Sequence, residues 1–312
     1  MSTPANAPAP RFDPGLTQQY TGALLRAINK DGSFNVRRKG LHGLAGNFYT
    51  LLVNTSWSRF LGLVAVVFLT LNVVFAGIYL SLGPGEIHAS SAETGLGTFG
   101  EAFFFSAQTL TTVGYGALYP VGLAAHIISS FEVTTGLLGF ALATGMVFAR
   151  FSRPSSKLVF SDQMVVAPYG EVTSVQFRVA NQRNNVIAEV EARMLLMTVE
   201  RDAQGELKRN FAELTLERKS VLFLALTWNI VHPIDKDSPL FGKSCEDLER
   251  LQAEFLILIK GYDDSFSQVV HTRYSYRWDE VEWSARFVPA FGVAAGGHMM
   301  LDVAKISETS PA

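Results

Sequence analysis

Apolar residues dominate two long runs of this chain and alternate with polar ones through much of its second half. From Phe60 to Leu82 the sequence reads FLGLVAVVFLTLNVVFAGIYLSL, with no charge as far as Gly85. A helix needs about 20 such residues to cross a hydrocarbon core, so this stretch predicts a membrane span. The 59 residues before it, and the lack of a small-residue cleavage site, speak against a signal peptide. A second run, Ala124–Phe151, is rich in Gly, Ala, Ser and Thr, which suits close helix packing in a bilayer. It carries Glu132, costly in lipid, with two fates open to it. Neighbouring hydroxyls or backbone amides satisfy it, or it touches a passing ion.

Between the spans, Thr98–Thr111 (TFGEAFFFSAQTLT) reads as a helix too short to cross. Such a segment is re-entrant, tolerated in a membrane only where protein or a watery cavity surrounds it. TTVGYG follows at 111–116. A potassium filter needs backbone carbonyls aimed inward at successive levels, and Gly114 and Gly116 permit the positive φ such a stack requires. Val113 and Tyr115 would turn outward as braces, and Thr112 would add a ring of hydroxyl oxygen. K+ would lie at Thr112, Val113, Gly114 and Tyr115. One filter takes four such loops and the chain has one, which implies a homotetramer around a cyclic axis.

Beyond residue 157 the period changes to two. In Glu189–Thr198, Val190, Ala192, Met194 and Leu196 alternate with Glu189, Glu191 and Arg193, the mark of a half-buried strand. Similar runs occupy Ser174–Ala180, Phe211–Leu216, Val221–Val231, Glu254–Lys260 and Gln268–Trp278. Turn formers separate them at 184–185, 202–205, 235–242 and Gly261–Asp264. Short strands without long helical patterns predict a β-sandwich. Before the first span, Asn47–Ser56 (NFYTLLVNTS) has a mixed apolar face. It is either an interfacial helix or a plain lead-in to the span.

Charge sharpens this division. Residues 57–149 hold one basic and four acidic residues, while 1–56 carry a net +4 and 158–312 a net −6. Arg150, Arg153 and Lys157 add +3 between them. The loop 83–123 has no Lys or Arg, so both termini are placed in the cytoplasm of a cell whose inner (plasma) membrane the chain crosses. The first residues are rich in proline (Pro4, Pro8, Pro10, Pro14), a composition for partial disorder. A net charge of −2 excludes a globally basic nucleic-acid binder. Cys245 is the one cysteine, which excludes an internal disulfide and fits a small buried hydrophobe. The glycines at 95, 97 and 100 form a literal GxGxxG without a strand before it, so the dinucleotide reading fails its context. Six histidines make no HExxH or close pair, and no enzyme and no cofactor are expected.

SWSRFL at 56–61, TTVGYG, FARFSRP at 148–154, VANQRNNVIAEVEARM at 179–194 and WNIVHPIDKDSPLFG at 228–242 together resemble the bacterial inward-rectifier-type potassium channels. The resemblance spans about residues 35–303. It implies an α + β membrane protein: a two-helix pore domain with re-entrant pore helix and selectivity filter, plus a cytoplasmic immunoglobulin-like β-sandwich. Its segments would be an N-terminal stretch 1–34, a lead-in with interfacial helix 35–58, a pore domain 59–151 and a linker 152–157. A sandwich 158–303 and a tail 304–312 would complete the chain. Phe148 matches the family's bundle-crossing gate, Gly136 a bend in the inner helix, and Phe140 with Thr144 the cavity lining. Arg37, Arg38, Lys39, Arg150, Arg153 and Lys157 look like anionic-lipid contacts, and in bacterial members such lipid tends to close the channel. Phe140 stands where strongly rectifying relatives carry a carboxylate. Glu189 matches an acidic position of the cytoplasmic pore, so the resemblance implies only weak block by polyamine or Mg2+ and a voltage-independent channel. Gln108 replaces a common Glu, which leaves filter stability to other contacts. Two other readings fit the same residues: a two-span receptor that conducts nothing, and a nonselective cation channel.

Overall fold

The two long apolar runs fold as helices of membrane length. The computed structural model describes residues 14–16, 26–36, 44–88, 97–152, 157–201, 205–294 and 296–312. It divides into a unit Lys39–Arg153 and a second made of Met1–Arg38 with Pro154–Ala312.

In the first unit, α1 (Leu44–Asn54) leads to α2 (Trp57–Leu82), whose 26 residues reach about 39 Å. A short bridge pairs β1 (Ile87–His88) with β2 (Tyr119–Pro120). Between them lies α3 (Thr98–Leu110), 13 residues long, which covers about 20 Å and so cannot span. α4 (Leu123–Phe151) has 29 residues. Phe75, Ala76 and Tyr79 of α2 pack on Ala102 and Phe105 of α3, with the Tyr79 and Phe105 rings 5.0 Å apart. The remaining flanks of α2 and α4 leave Leu, Val and Phe exposed, as helices that are apolar all round do when they meet lipid or other helices.

The second unit is a sandwich of two five-stranded sheets. Its strands are β3 (Leu158–Phe160), β4 (Met164–Tyr169), β5 (Val172–Asn181), β6 (Ile187–Arg201), β7 (Leu207–Leu214), β8 (Ser220–Leu224), β9 (Thr227–Ile234), β10 (Glu254–Asp263), β11 (Gln268–Arg277) and β12 (Val281–Trp283). One sheet runs β11–β10–β6–β7 with β8 also on β6; the other runs β12–β4–β5–β3 with β9 also on β5. Val175, Phe177 and Val179 of β5 face Val190, Ala192 and Met194 of β6 across one core, joined by Phe255, Ile257 and Tyr276. The Phe160 and Tyr274 rings stack in it with centroids 4.4 Å apart.

Six details depart from the sequence reading. The run Val221–Val231 is two strands, β8 and β9, which bend apart at 225–226 and enter different sheets. The alternation in β6 stops at Met194, and from there to Val199 both faces are buried. Residues of the N-terminal segment cause this: Ala27 and Ile28 cover Leu195, Met197, Phe211 and Leu256. Residues 26–36 of that segment are therefore ordered. Ala27 and Ile28 donate backbone N–H groups to the buried Glu254 carboxylate, and Arg26 and Lys30 pair with Glu280. The stretch set apart as a tail is also built in, because β13 (Ala285–Phe287) pairs with β16 (Thr309–Pro311); β14 (Phe291–Val293) and β15 (Met299–Leu301) form a hairpin between them. Gly261, grouped with turn formers, lies inside β10, and the turn comes at 264–267. Cys245 is exposed at the start of α5 (Cys245–Arg250), because the capping box of Ser244 and Asp247 places it on the first turn.

His232 in β9 is buried, with Nδ1 2.7 Å from the Thr215 carbonyl and Nε2 2.8 Å from the Ser238 hydroxyl. The carbonyl can only accept, so Nδ1 donates and Nε2 accepts from Ser238. Burial holds the imidazole below its ordinary value of 6.5. The unfolded chain thus binds this proton at a pH where the folded one does not, and stability is complete above 6.5 and falls as pH drops below it. The thermal midpoint should therefore decline more steeply from pH 7 to 5.5 than in a His232→Gln variant; equal slopes would clear His232 of any part.

Candidate pore loop and gate

A helix end leaves its last carbonyls without partners, and within a membrane no water supplies them. The chain after α3 answers this by folding back on the helix. Thr112 N–H donates to the Thr109 carbonyl at 3.0 Å, and Val113 N–H and Gly114 N–H to the Gln108 carbonyl at 2.9 and 3.4 Å. The Thr111 hydroxyl donates to the Ala107 carbonyl at 2.6 Å. Gln108 anchors the loop through its backbone, while its own Oε1 is buried and accepts no hydrogen bond among the described residues.

Thr112, Gly114 and Gly116 have φ of 61°, 54° and 84°, and Val113 and Tyr115 between them stay out of the left-handed region. That alternation turns consecutive carbonyls to a common side, the arrangement a cation filter uses. Two of the three positions were legible as glycines. Thr112 was not, since a residue with Cβ pays on the order of 1 kcal/mol to sit there. Its bond to Thr109 and the bond of its neighbour to Gln108 hold it. Val113 and Tyr115, read as braces, are 52% and 78% exposed, so the single chain offers them nothing to lean on.

Glu132 is fully buried where α2, α3 and α4 meet. It accepts from the Tyr79 hydroxyl at 2.7 Å and from the Ser106 hydroxyl at 2.5 Å. Ser106 also lies 3.1 Å from Asn72 Oδ1, and Asn72 Nδ2 donates to the Phe68 carbonyl at 2.7 Å. Of its two fates, Glu132 takes capture by hydroxyls. Polar residues in otherwise apolar spans were the available signal for Tyr79, Ser106 and Asn72, which sequence reading passed over. One turn along α4, a Cβ on Gly136 would overlap the Leu110 carbonyl, so Gly136 is where α4 rests on the end of α3.

Gly136, Phe140, Thr144 and Phe148 follow at intervals of four, so each neighbours the next in a row that winds slowly around α4. Phe140, Thr144 and Phe148 are exposed on it, Phe148 by 72%. A cavity of about 520 Å³ opens between α2 and α4 in this unit, lined by Phe60, Val64, Val67, Thr112, Gly136 and Phe140 among others; Thr144 and Phe148 are not part of its lining.

The basic residues divide. Arg37, Arg38, Lys39 and Arg153 lie outside the described residues, and Lys157 is exposed. Arg150 is engaged within the protein. Its guanidinium donates to the carbonyls of Leu52, Val53 and Thr55 at the C-terminus of α1, the last at 2.7 Å. It also lies 4.6 Å from the Trp57 ring centroid and 4.7 Å from that of Phe60. A cation there satisfies orphan carbonyls and favours the helix dipole, so Arg150 ties α1 to α4. Glu189 lies in the sandwich, exposed on β6 with φ 49°.

Residues 158–311 match the family described as inward rectifier potassium channel C-terminal domain, and residues 65–153 match that described as ion channel. The chain is 36% identical over 285 residues to an inward rectifier potassium channel, Kirbac3.1, of Paramagnetospirillum magnetotacticum, covering 91% of this chain and 95% of that one. It is 25% identical to G protein-activated inward rectifier potassium channel 1 of Gallus gallus, covering 93% of this chain and 62% of the other. For G protein-activated inward rectifier potassium channel 2 of Mus musculus the identity is 28%, covering 88% and 69%.

If Arg150 works by forking onto α1 carbonyls, lysine keeps the charge but loses the planar fork. Arg150→Lys and Arg150→Gln are then expected to lose about 1–3 kcal/mol alike, read as equal drops in the thermal midpoint of the solubilised protein. A lysine variant as stable as the parent would leave charge alone as the requirement.

Proposed function

The chain belongs to the inward rectifier potassium channel family, and from that premise we propose that four copies form a potassium-selective pore through a cell's inner membrane, with both termini in the cytoplasm. The observation that carries this reading is the alternating left-handed backbone of Thr112, Gly114 and Gly116, bonded to the end of a re-entrant helix between two membrane-length ones. K+ exchanges its water for the carbonyl oxygens of 112–115 and the Thr112 hydroxyl. Two features speak for the tetramer. Val113 and Tyr115 lack braces in one chain, and the apolar cavity beside Phe140 is open along α4.

Phe148 closes the path. Phe140, Thr144 and Phe148 form an exposed row at intervals of four on α4, and in four copies around an axis such rows converge on the pore. Phe140 and Thr144 line the central cavity that four copies enclose, and Gly136 is the place where α4 bends. Arg37, Arg38, Lys39, Arg153 and Lys157 hold anionic lipid, each worth about 1 kcal/mol near such a surface. Arg150 adds a mechanical tie between α1 and α4, so that lipid acting on the lead-in reaches Phe148. The sandwich extends the ion path and signals through residues 152–157. Phe140 offers no charge to a blocking cation, so rectification is weak and rests on Glu189 with polyamine or Mg2+.

Liposomes holding the purified protein are expected to take up K+ in a barium-sensitive manner, with Na+ unable to substitute. Comparable Na+ uptake would favour a nonselective cation channel, and no uptake with or without anionic lipid a nonconducting receptor. Gly114→Ala puts a Cβ at φ 54° and is expected to abolish K+ uptake while the protein still assembles. Phe148→Ala is expected to raise uptake at a fixed lipid composition; an unchanged rate would remove Phe148 as the gate.

A further inference from the structure

Glu189 stands at an irregularity in the longest strand. Across the β6–β10 pairing, Lys260 faces Glu191 but Tyr262 faces Ala188, so the single residue Gly261 opposes both Glu189 and Val190. Two residues against one is a β-bulge, a device that re-aims a side chain. The residue pattern calls for it. Ile187 and Val190 are three apart and both in the core, which plain alternation forbids. The extra residue reconciles them, and Glu189 absorbs the bend at φ 49°. A non-glycine residue held in that region is strained, and such strain concentrates where a side chain must be aimed.

Gly261 makes the bulge fit. Its own φ is not in the left-handed region, so glycine is there for space. A Cβ would lie 2.6 Å from Ile187 Cγ2 and 3.2 Å from Val190 Cγ2, the two core residues that flank the bend. We propose that Gly261 is a positioning residue for Glu189: by letting β6 bulge over it, Gly261 aims the carboxylate into a cleft of about 540 Å³, where it meets a polyamine entering from the cytoplasm. Glu191, Lys219, Lys260 and Tyr262 line the same cleft. With two lysines so near, the aim of the carboxylate decides whether it answers a lysine or a cation in the path. The inference rests on the proposed reading of Glu189 as a cytoplasmic-pore carboxylate.

The test uses the full-length channel in planar bilayers with spermine on the cytoplasmic side. Glu189→Gln and Gly261→Ala are each expected to weaken spermine block by about tenfold, and the double variant no further than either alone. Ile187→Leu removes the offending Cγ2 at nearly constant volume, so Ile187→Leu with Gly261→Ala is expected to recover the block; a merely structural glycine would give no such recovery. Block that falls in Glu189→Gln but not in Gly261→Ala overturns the positioning role and leaves the reading of Glu189 intact. No change in Glu189→Gln overturns that reading, and the inference with it. Should Gly261→Ala fail to assemble, a comparison at the bend itself replaces it. Glu189→Gly is expected to melt above Glu189→Ala, because glycine accepts φ 49° without strain. The reverse order would remove the strained bulge on which the proposal stands.

Discussion

One buried carboxylate carries the architecture of the membrane unit. Glu132 on α4 accepts hydroxyl hydrogens from Tyr79 on α2 and Ser106 on α3, and Ser106 in turn reaches Asn72. Among lipid-facing helices there is no hydrophobic drive to prefer one neighbour over another, so packing and polar contacts decide the arrangement. A carboxylate without donors at that depth would be costly, which makes the three-helix meeting point self-enforcing. Gly136 completes it by letting α4 come down on the Leu110 carbonyl. The end of α3 is thereby held in place, and the loop that leaves it inherits that position.

The loop then obeys a second constraint, the need of helix-end carbonyls for donors where water is scarce. Gln108 and Thr109 receive backbone N–H groups from 112–114, which both satisfies the helix and pins the strained Thr112. An acid at position 108 is not required for this anchoring, because the carbonyl rather than the side chain does the accepting. The same logic recurs at the other end of the unit, where Arg150 supplies donors to the carbonyls that close α1. In both places a helix terminus is completed by donors from another segment of the same unit.

The sandwich solves a different problem. Its long β6 buries both faces beyond Met194, more than two sheets alone would cover. The N-terminal segment provides the third layer, laid over Leu195 and Met197 and anchored where Glu254 takes the N–H groups of Ala27 and Ile28. Lys30 is raised above its ordinary value: burial works against its charge, and the hydrogen bond and pairing with Glu280 outweigh that. Residues 26–36 are thus part of the same domain as the strands from Leu158 onward.

Reading the residues alone was sufficient for the two membrane-length helices, the short helix between them and the positive φ of Gly114 and Gly116, because long apolar runs with few charges and glycines in TTVGYG have few physical alternatives. It was sufficient for most strands, since period two survives wherever one face meets solvent. It did not show that Val221–Val231 breaks in two, that β6 is covered on both sides, that Gly261 faces a bulge rather than a turn, or that Arg150 reaches back to α1. Nor did it show the left-handed backbone of Thr112 and Glu189, which residue type argues against. Each of these depends on a partner distant along the chain: Ile28 against Leu195, Gly261 against Ile187, Arg150 against Thr55. Local pattern records what a residue prefers, and it determined which segments cross, re-enter or pair. Tertiary packing alone decided which preferences are overruled, because only in the folded chain do the contacts exist that repay the strain.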